Sequence, residues 1–311
     1  MFELLDALEA DPRPARHPRP YTLGASLARW LEHVRIHCRP SSAKQAAYHV
    51  AHLERLLGAS LNCAALRPRD IDQLIARRLA EGVSRSSING TLRYLRAALR
   101  YAVEVGKLEE VPLRVKQLKV TRKRPHILAD EEIVRLLRAV KPPLDLVVLL
   151  AADAGLRVGE IVTLQRRDVD LRANTLAVQV KPELDWSPKG AAERAVPLSP
   201  RLRQALEERL EQIGREPAAL LLGGMTRFAV AGKLRRALEA AGLYVRWKTG
   251  AHALRRSWAS RLSEVASVEV VRAAGGWEDY ATVRRYVRAG DRAVAEGIAA
   301  LARRRGDERR S

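Results

Sequence analysis

Residues 252–287 read HALRRSWASRLSEVASVEVVRAAGGWEDYATVRRYV, and this stretch decides the interpretation of the whole chain. Apolar residues recur in it at spacings of three and four, which is the period of an amphipathic helix. The pattern is interrupted near residue 266 and again at a pair of glycines. It predicts three consecutive helices, over 252–264, 267–274 and 280–289.

Four side chains in this stretch carry chemistry that core packing does not require. His252 and Arg255 are three residues apart, so a helix places both on one face. Trp277 follows the pair of glycines, and Tyr286 comes nine residues later. The stretch therefore offers an imidazole, a guanidinium, an indole and a phenol at fixed spacings.

Two segments farther upstream carry single basic residues at unusual places. Residues 155–160 read GLRVGE and put Arg157 in a turn flanked by glycines. Residues 189–197 read KGAAERAVP, with Lys189 at the tip of a predicted hairpin. The two strands of that hairpin are predicted at Thr175–Val180 and Arg194–Leu198.

Together these segments resemble the tyrosine recombinases, also called phage-type integrases. Lys189 precedes Pro197 by eight residues, as the family lysine precedes its hairpin proline. The His-x-x-Arg box is intact, and Trp277 and Tyr286 keep the family's nine-residue separation. Each segment alone is a weak signal, but the occurrence of all of them in the family's order and register is specific for this family.

The resemblance implies a fold class that is mainly α (α+β) and a chain in five parts. A helical core-DNA-binding domain and a mostly helical catalytic domain with a small β-hairpin or sheet would form a C-shaped clamp on DNA. The first domain shows a periodicity typical of four helices, the last starting near Ser86 or Ser87 and stopping by Gly106. The parts are a flexible N-terminal arm (1–20), the core-DNA-binding domain (21–113), a basic linker (114–125), the catalytic domain (126–290), and a tail helix with a basic end (291–311).

The chemistry of strand cleavage explains why the family uses these residue types. A phenol can attack a phosphodiester and leave a covalent intermediate if its proton is taken up, so Tyr286 is the expected nucleophile. Arg157 and Arg255 would neutralise the phosphate, because guanidinium groups bind its oxygens in pairs and stay charged. Lys189 would protonate the leaving 5′ oxygen as a general acid. His252 would assist proton transfer or hold the phosphate.

Two supporting residues and two alternatives complete the predicted site. Trp277 would donate its indole N–H to a phosphate oxygen and pack against the site. Glu160 resembles the acidic residue that supports the family's arginine and histidine.

Taken alone, Tyr286 could be a core aromatic, and Tyr280 is a rival nucleophile although its distance from the tryptophan does not match the family. Many relatives carry histidine where this chain has Trp277, but some family members also have tryptophan there, so we expect activity to survive. Many relatives also carry histidine where this chain has Arg256, which leaves proton handling open.

The charge balance indicates a polyanionic partner. The 311 residues include 56 lysines and arginines against 36 aspartates and glutamates, a formal net charge of +20. An arginine bias in the coding sequence is the alternative source of this charge. The linker has six basic residues and no acidic one, and these either contact the DNA backbone or belong to a solvated tether. They are Arg114, Lys116, Lys119, Arg122, Lys123 and Arg124.

Other classes of protein are disfavoured. Two cysteines without a CxxC pair argue against a disulfide scaffold or a cysteine zinc site. A cluster in the first domain has metal-ligand spacing but follows an amphipathic pattern: His33, His37, Cys38, His49 and His52. We expect no metal and no cofactor. The sequence predicts neither a signal peptide nor a membrane span, so we expect a cytoplasmic, nucleoid-associated protein.

The resemblance implies a site-specific DNA recombinase that works through a 3′-phosphotyrosine and a Holliday junction, without metal or ATP. Its partner would be double-stranded DNA with a short inverted-repeat site, held by a homotetramer on two sites or together with a paralogous recombinase. The tail helix would dock into a neighbouring subunit or pack on its own domain. A non-catalytic DNA-binding architectural or regulatory protein and a type IB topoisomerase-like enzyme are the alternatives.

Overall fold

The computed structural model describes residues 20–121, 126–188, 193–246 and 249–284. The chain separates into two compact units, Met1–Arg122 and Lys123–Ser311. This division falls inside the basic segment 114–125. Several predicted features lie outside the described residues: Lys189, Tyr286, Arg122, Lys123, Arg124, the arm through residue 19 and the tail from 291.

The described part of the first unit contains four α-helices. They are α1 (Leu23–His37), α2 (Pro40–Leu57), α3 (Pro68–Ala80) and α4 (Arg85–Glu104). Helices α1, α2 and α4 pack on one another, and their leucines make up much of the core. The predicted start of α4 was late, because the Ser84 hydroxyl is the N-cap and accepts a hydrogen bond from the Ser87 amide at 3.2 Å.

The first half of the basic linker is attached to α4 rather than being a free tether. Val115 is buried. The Asn89 side chain accepts a hydrogen bond from the Leu118 amide at 2.8 Å and donates one to the Leu118 carbonyl at 2.9 Å. The basic side chains beside these anchors are nevertheless exposed, namely Arg114, Lys116 and Lys119.

The second unit is built around an apolar central helix. Its described helices are α5 (Asp130–Ala139), α6 (Leu144–Ala152), α7 (Val158–Ile161), α8 (Pro200–Gln212), α9 (Arg227–Ala240), α10 (Ala251–Val265), α11 (Val268–Gly275) and α12 (Tyr280–Val283). All residues of α6 except Asp145 are buried, and this helix packs against α5, α8, α9 and α10. The apolar residues of α6 therefore place α10, and with it the His-x-x-Arg box.

A small antiparallel sheet completes the unit, with strand order β1 (Val169–Asp170), β2 (Thr175–Val178) and β3 (Arg194–Pro197). Leu176 pairs with Val196, and Val178 pairs with Arg194. The two predicted strands are present but shorter at their ends, and β1 was missed because two residues show no alternation. The prediction of a mainly helical fold with a small sheet is confirmed.

None of the helices described is long and apolar enough to span a bilayer. Helix α12 is described through Val283 and the chain through Arg284, so the remainder of the predicted helix 280–289 and the predicted helix 292–304 lie outside the described residues.

Candidate active site

Arg157 precedes α7 and is the most exposed of three arginines that meet in the second unit. Gly155 has a left-handed φ of +63°, and a Cβ there would overlap the Trp258 indole, so only glycine fits this turn. The Arg157 guanidinium donates from Nη1 to Glu160 at 2.7 Å and from Nη2 to the Gly276 carbonyl at 2.9 Å. Its side chain keeps 25% exposure, so this arginine is held in place and still accessible.

Glu160 is the buried anion between these arginines, with a side chain only 2% exposed. Its Oε2 accepts hydrogen bonds from the Arg157 amide at 2.9 Å and from Arg194 Nη2 at 2.8 Å. Burial alone would raise the pKa of Glu160, but the hydrogen bonds and charge of Arg194 and Arg157 lower it below the usual range. Glu160 is therefore ionised at neutral pH.

Arg255 lies on α10 and is almost completely buried, at 1% exposure. It donates from Nη1 to the Gly155 carbonyl and from Nη2 to the Gly275 carbonyl, the latter at 2.6 Å. Its guanidinium carbon lies 4.2 Å from the centre of the Trp277 ring, a cation–π arrangement. Its positive charge therefore acts in the site from beneath the surface.

The last two residues of α11 and the residue after it join all three arginines through three successive carbonyls. The carbonyl of Ala274 accepts from Arg194 Nε at 3.0 Å, that of Gly275 from Arg255, and that of Gly276 from Arg157. A Cβ at Gly275 would overlap the Trp277 ring, and Gly276 has a left-handed φ of +60°. The glycine pair seen in the sequence is thus needed to bring backbone carbonyls up to the guanidinium groups.

His252 lies in the first turn of α10 and is exposed. Local desolvation, followed by the positive charges of Arg256, Arg255 and Arg157, lowers the pKa of His252 from 6.5 to about 4. The imidazole is therefore neutral at pH 7 and able to accept a proton or a hydrogen bond.

The structure brings together five of the seven predicted catalytic and supporting residues: Arg157, Glu160, His252, Arg255 and Trp277. Lys189 and Tyr286 fall outside the described residues, so their positions in the site stay predictions. Trp277 is buried at 8% exposure and stacks over Trp258 with ring centres 6.1 Å apart, which gives it a clear packing role. The rival Tyr280 is 46% exposed and lies beside Arg272, 5.0 Å from its guanidinium carbon.

Two charged residues of this region were missed by the sequence reasoning. In the sequence Arg194 is only one residue of the predicted hairpin, yet in the structure it binds both oxygens of Glu160. Lys181, at the other side of the hairpin, is 1% exposed and forms an ion pair of 2.8 Å with the buried Asp168. For Arg194 the sequence offers one signal of a structural role, which is a charged residue within a half-buried strand. For Lys181 it offers none.

The histidines of the first unit take part in aromatic packing. His49 accepts or donates a hydrogen bond with Thr91 at 3.1 Å and stacks on Tyr94 with ring centres 4.4 Å apart. His33 lies 4.4 Å from His37 between ring centres. Among the residues that the structure describes, no three His, Cys, Asp or Glu side chains form a group that could hold a metal ion.

Comparisons with known proteins agree on one family. The sequence model of the phage integrase family matches residues 126–292, more than half of the chain. The tyrosine recombinase XerA of Thermococcus kodakarensis is 32% identical over 237 residues, which cover 72% of this chain and 76% of XerA. XerA of Thermococcus onnurineus is 30% identical over 149 residues, 47% of this chain and 49% of that protein.

Solved structures with a similar fold include integrases bound to DNA. The integrase of transposon Tn1549, in complex with transposon right-end DNA, matches with a TM-score of 0.76 and 17% identity over 90% of this chain and 99% of the other. A lambda integrase tetramer bound to a Holliday junction matches with a TM-score of 0.71 and 19% identity, covering 93% and 85% of the two chains. At these identities the likeness concerns the fold.

Proposed function

The chain belongs to the phage integrase family and is a tyrosine-type site-specific DNA recombinase, and we propose that it cleaves and rejoins DNA strands through Tyr286. The observation that carries this assignment is the set of guanidinium groups around one carboxylate. Arg157, Arg194 and Arg255 bring three positive charges against the single negative charge of Glu160, a surplus of two. A partly buried site with this surplus is suited to a phosphodiester.

The proposed reaction is a transesterification in two stages. The Tyr286 phenolic oxygen attacks the scissile phosphorus, and the bond to the 5′ oxygen breaks. Lys189 gives a proton to the leaving 5′ oxygen, and the neutral His252 imidazole accepts the phenolic proton or orients the phosphate. A 5′ hydroxyl of the partner strand then attacks the phosphotyrosine, which restores the phenol and joins the new strand. One phosphoester bond replaces another at each stage, so no external energy source is required.

The residues described here support particular roles. Arg157, which is 25% exposed, would contact a non-bridging phosphate oxygen directly, while Arg255 contributes its charge from a buried position. Trp277 would hold Arg255 by stacking, and its indole N–H would face the phosphate. Exposed linker residues (Arg114, Lys116 and Lys119) would contact the DNA backbone.

We propose the same assembly that the sequence suggests. Two subunits would bind a short inverted repeat, and a tetramer on two such sites would pass through a Holliday junction, with a paralogous recombinase as an alternative partner. The segment 291–311 would dock into a neighbouring subunit. The lambda integrase tetramer on a Holliday junction supports this arrangement by its fold. A protein that acts on DNA in this way would be associated with the nucleoid.

The test is a search for covalent protein–DNA adducts. Purified protein is incubated with fragmented DNA of its source, quenched with denaturant, and the attached DNA is sequenced. We expect adducts at one short inverted repeat, lost in Tyr286→Phe and kept in the matched control Tyr280→Phe, whose ring is exposed. DNA binding should survive in both variants.

Each alternative has its own outcome. Tight binding by the wild-type protein without any adduct would favour the non-catalytic DNA-binding protein. Adducts scattered over many sequences, with relaxation of supercoiled circles and no exchange between two sites, would favour the topoisomerase-like enzyme. Adducts retained by Tyr286→Phe would refute Tyr286 as the nucleophile.

A further inference from the structure

Within the described residues the carboxylate of Glu160 accepts four hydrogen bonds, and two of them come from Arg194. Oε1 accepts from Arg157 Nη1 at 2.7 Å and from Arg194 Nη1 at 3.3 Å. Oε2 accepts from the Arg157 amide at 2.9 Å and from Arg194 Nη2 at 2.8 Å. Arg194 thus binds the carboxylate with both Nη atoms, the geometry in which an arginine restricts a carboxylate most strongly.

Arg194 is itself fixed by its surroundings. It lies on β3 opposite Val178, and its side chain is 8% exposed. Its Nε donates to the Ala274 carbonyl at 3.0 Å, and a Cβ at Gly276 would come within 2.9 Å of its Nη1. The guanidinium therefore bridges the hairpin strand, Glu160 and the C-terminal end of α11.

The two arginines that bind Glu160 differ in whether they can also contact a phosphate. Arg157 is 25% exposed, and within the described part of the chain its side chain uses two of its five N–H donors, one toward Glu160 and one toward Gly276. Arg194 has all three of its nitrogen atoms engaged inside the protein. A phosphate can approach Arg157, whereas Arg194 is occupied.

We infer that Arg194 is a positioning residue for Arg157 and acts through the carboxylate of Glu160. It holds the carboxylate in the orientation that fixes Arg157 Nη1, and it compensates the negative charge of Glu160. Without that compensation, Glu160 would cancel the charge of Arg157 instead of only orienting it. This inference rests on the proposed function, in which Arg157 neutralises the scissile phosphate.

The test compares two substrates for the same protein preparation. One is the natural phosphodiester at the cleavage site found by adduct mapping. The other carries a methylphosphonate there, in which a methyl group replaces one non-bridging oxygen and removes its negative charge. The methylphosphonate has no negative charge at the scissile phosphorus for Arg157 to neutralise. A displacement of Arg157 should therefore slow cleavage of this substrate less than cleavage of the phosphodiester.

We expect Arg194→Met to slow strand cleavage of the phosphodiester 10- to 100-fold at saturating protein, with DNA binding unchanged. On the methylphosphonate the wild-type and variant rates should agree within about threefold. Arg194→Lys keeps the charge but loses the paired hydrogen bonds, so it should show an intermediate defect. Arg235→Met, which removes an arginine that is 59% exposed on α9, is the control and should match the wild type on both substrates.

Partial misfolding of a variant lowers both rates equally and cancels in the ratio between the two substrates. An equal slowing on both substrates would therefore overturn the inference and leave Arg194 a structural residue. So would an Arg194→Met variant that cleaves the phosphodiester at the wild-type rate. A wild-type protein that forms no Tyr286-dependent adduct contradicts the proposed function itself, which keeps the two failures distinct.

Discussion

Single residues of this site are under steric as well as chemical constraint. Gly155 combines a left-handed φ of +63° with a position where a Cβ would overlap Trp258. Gly155→Ala should therefore destabilise the protein by about 2–5 kcal/mol, the sum of overpacking and left-handed strain. Denaturant unfolding measures this. Gly242→Ala is the matched control, because its φ is +66° with no atom within 4 Å of the added Cβ, and it should cost only about 1–2 kcal/mol. Equal costs for both would contradict the close packing at Gly155.

The ionisation of His252 gives a second prediction for a single residue. Its imidazole signal in NMR, assigned with His252→Gln, should titrate near pH 4 rather than 6.5. Because the pKa is depressed in the folded state, the stability due to this group is full above pH 6.5 and is lost as the pH falls toward 4. Binding of inorganic phosphate should move the titration upward, since an anion offsets the nearby guanidinium charges. A titration near 6.5 that phosphate does not change would contradict the arrangement of positive charge around His252.

At the scale of elements, the hairpin between β2 and β3 is anchored on both sides by buried ion pairs. Beyond β2, Lys181 binds Asp168 at 2.8 Å, and the Gln179 amide donates to the same carboxylate at 2.9 Å. At β3, Arg194 binds Glu160. The anchors bracket the segment that contains Lys189. A short two-stranded element gains its stability from such contacts with the rest of its domain.

Removing one member of the first anchor should be costly. Lys181→Met leaves Asp168 buried without its cation, so we expect a loss of about 3–5 kcal/mol in the free energy of unfolding. The double variant Lys181→Met/Asp168→Leu should recover part of that loss. Arg235→Met, which breaks an exposed pair with Glu239, should cost at most about 1 kcal/mol. A Lys181→Met protein as stable as Arg235→Met would refute the anchor.

Much of the fold was predictable from local sequence, and the parts that were not have a common cause. The apolar period of α10 and α11, the glycine-flanked position of Arg157 and the three-residue spacing of His252 and Arg255 are properties of short segments, so the sequence shows them directly. Arg194 and Lys181 gain their roles from partners brought together by tertiary folding, and Glu160 lies 34 residues from Arg194. No periodicity encodes such a contact. The start of α4 was misplaced because Ser84, Ser86 and Ser87 are equally good capping residues by type.

For the whole molecule, the net charge of +20 predicts DNA binding that weakens steeply with salt. Each linker residue that contacts a DNA phosphate displaces about one counterion and adds about one to the slope of log affinity against log salt. Replacing Arg114, Lys116 and Lys119 by glutamine should therefore lower the magnitude of this slope by about 2–3. Titration of labelled DNA at several salt concentrations measures this slope. Replacement of the exposed Arg235, Arg246 and Arg215 gives a variant with the same change in charge. If the two triple variants have the same slope, the linker residues act only through net charge.

The most direct test of the central claim identifies the amino acid that becomes joined to DNA. The trapped adduct is digested with nuclease and protease, and the modified peptide is sequenced by mass spectrometry. The account predicts a single nucleotide linked through its 3′ phosphate to Tyr286. Attachment to Tyr280 or to any other residue, or through a 5′ phosphate, would contradict it.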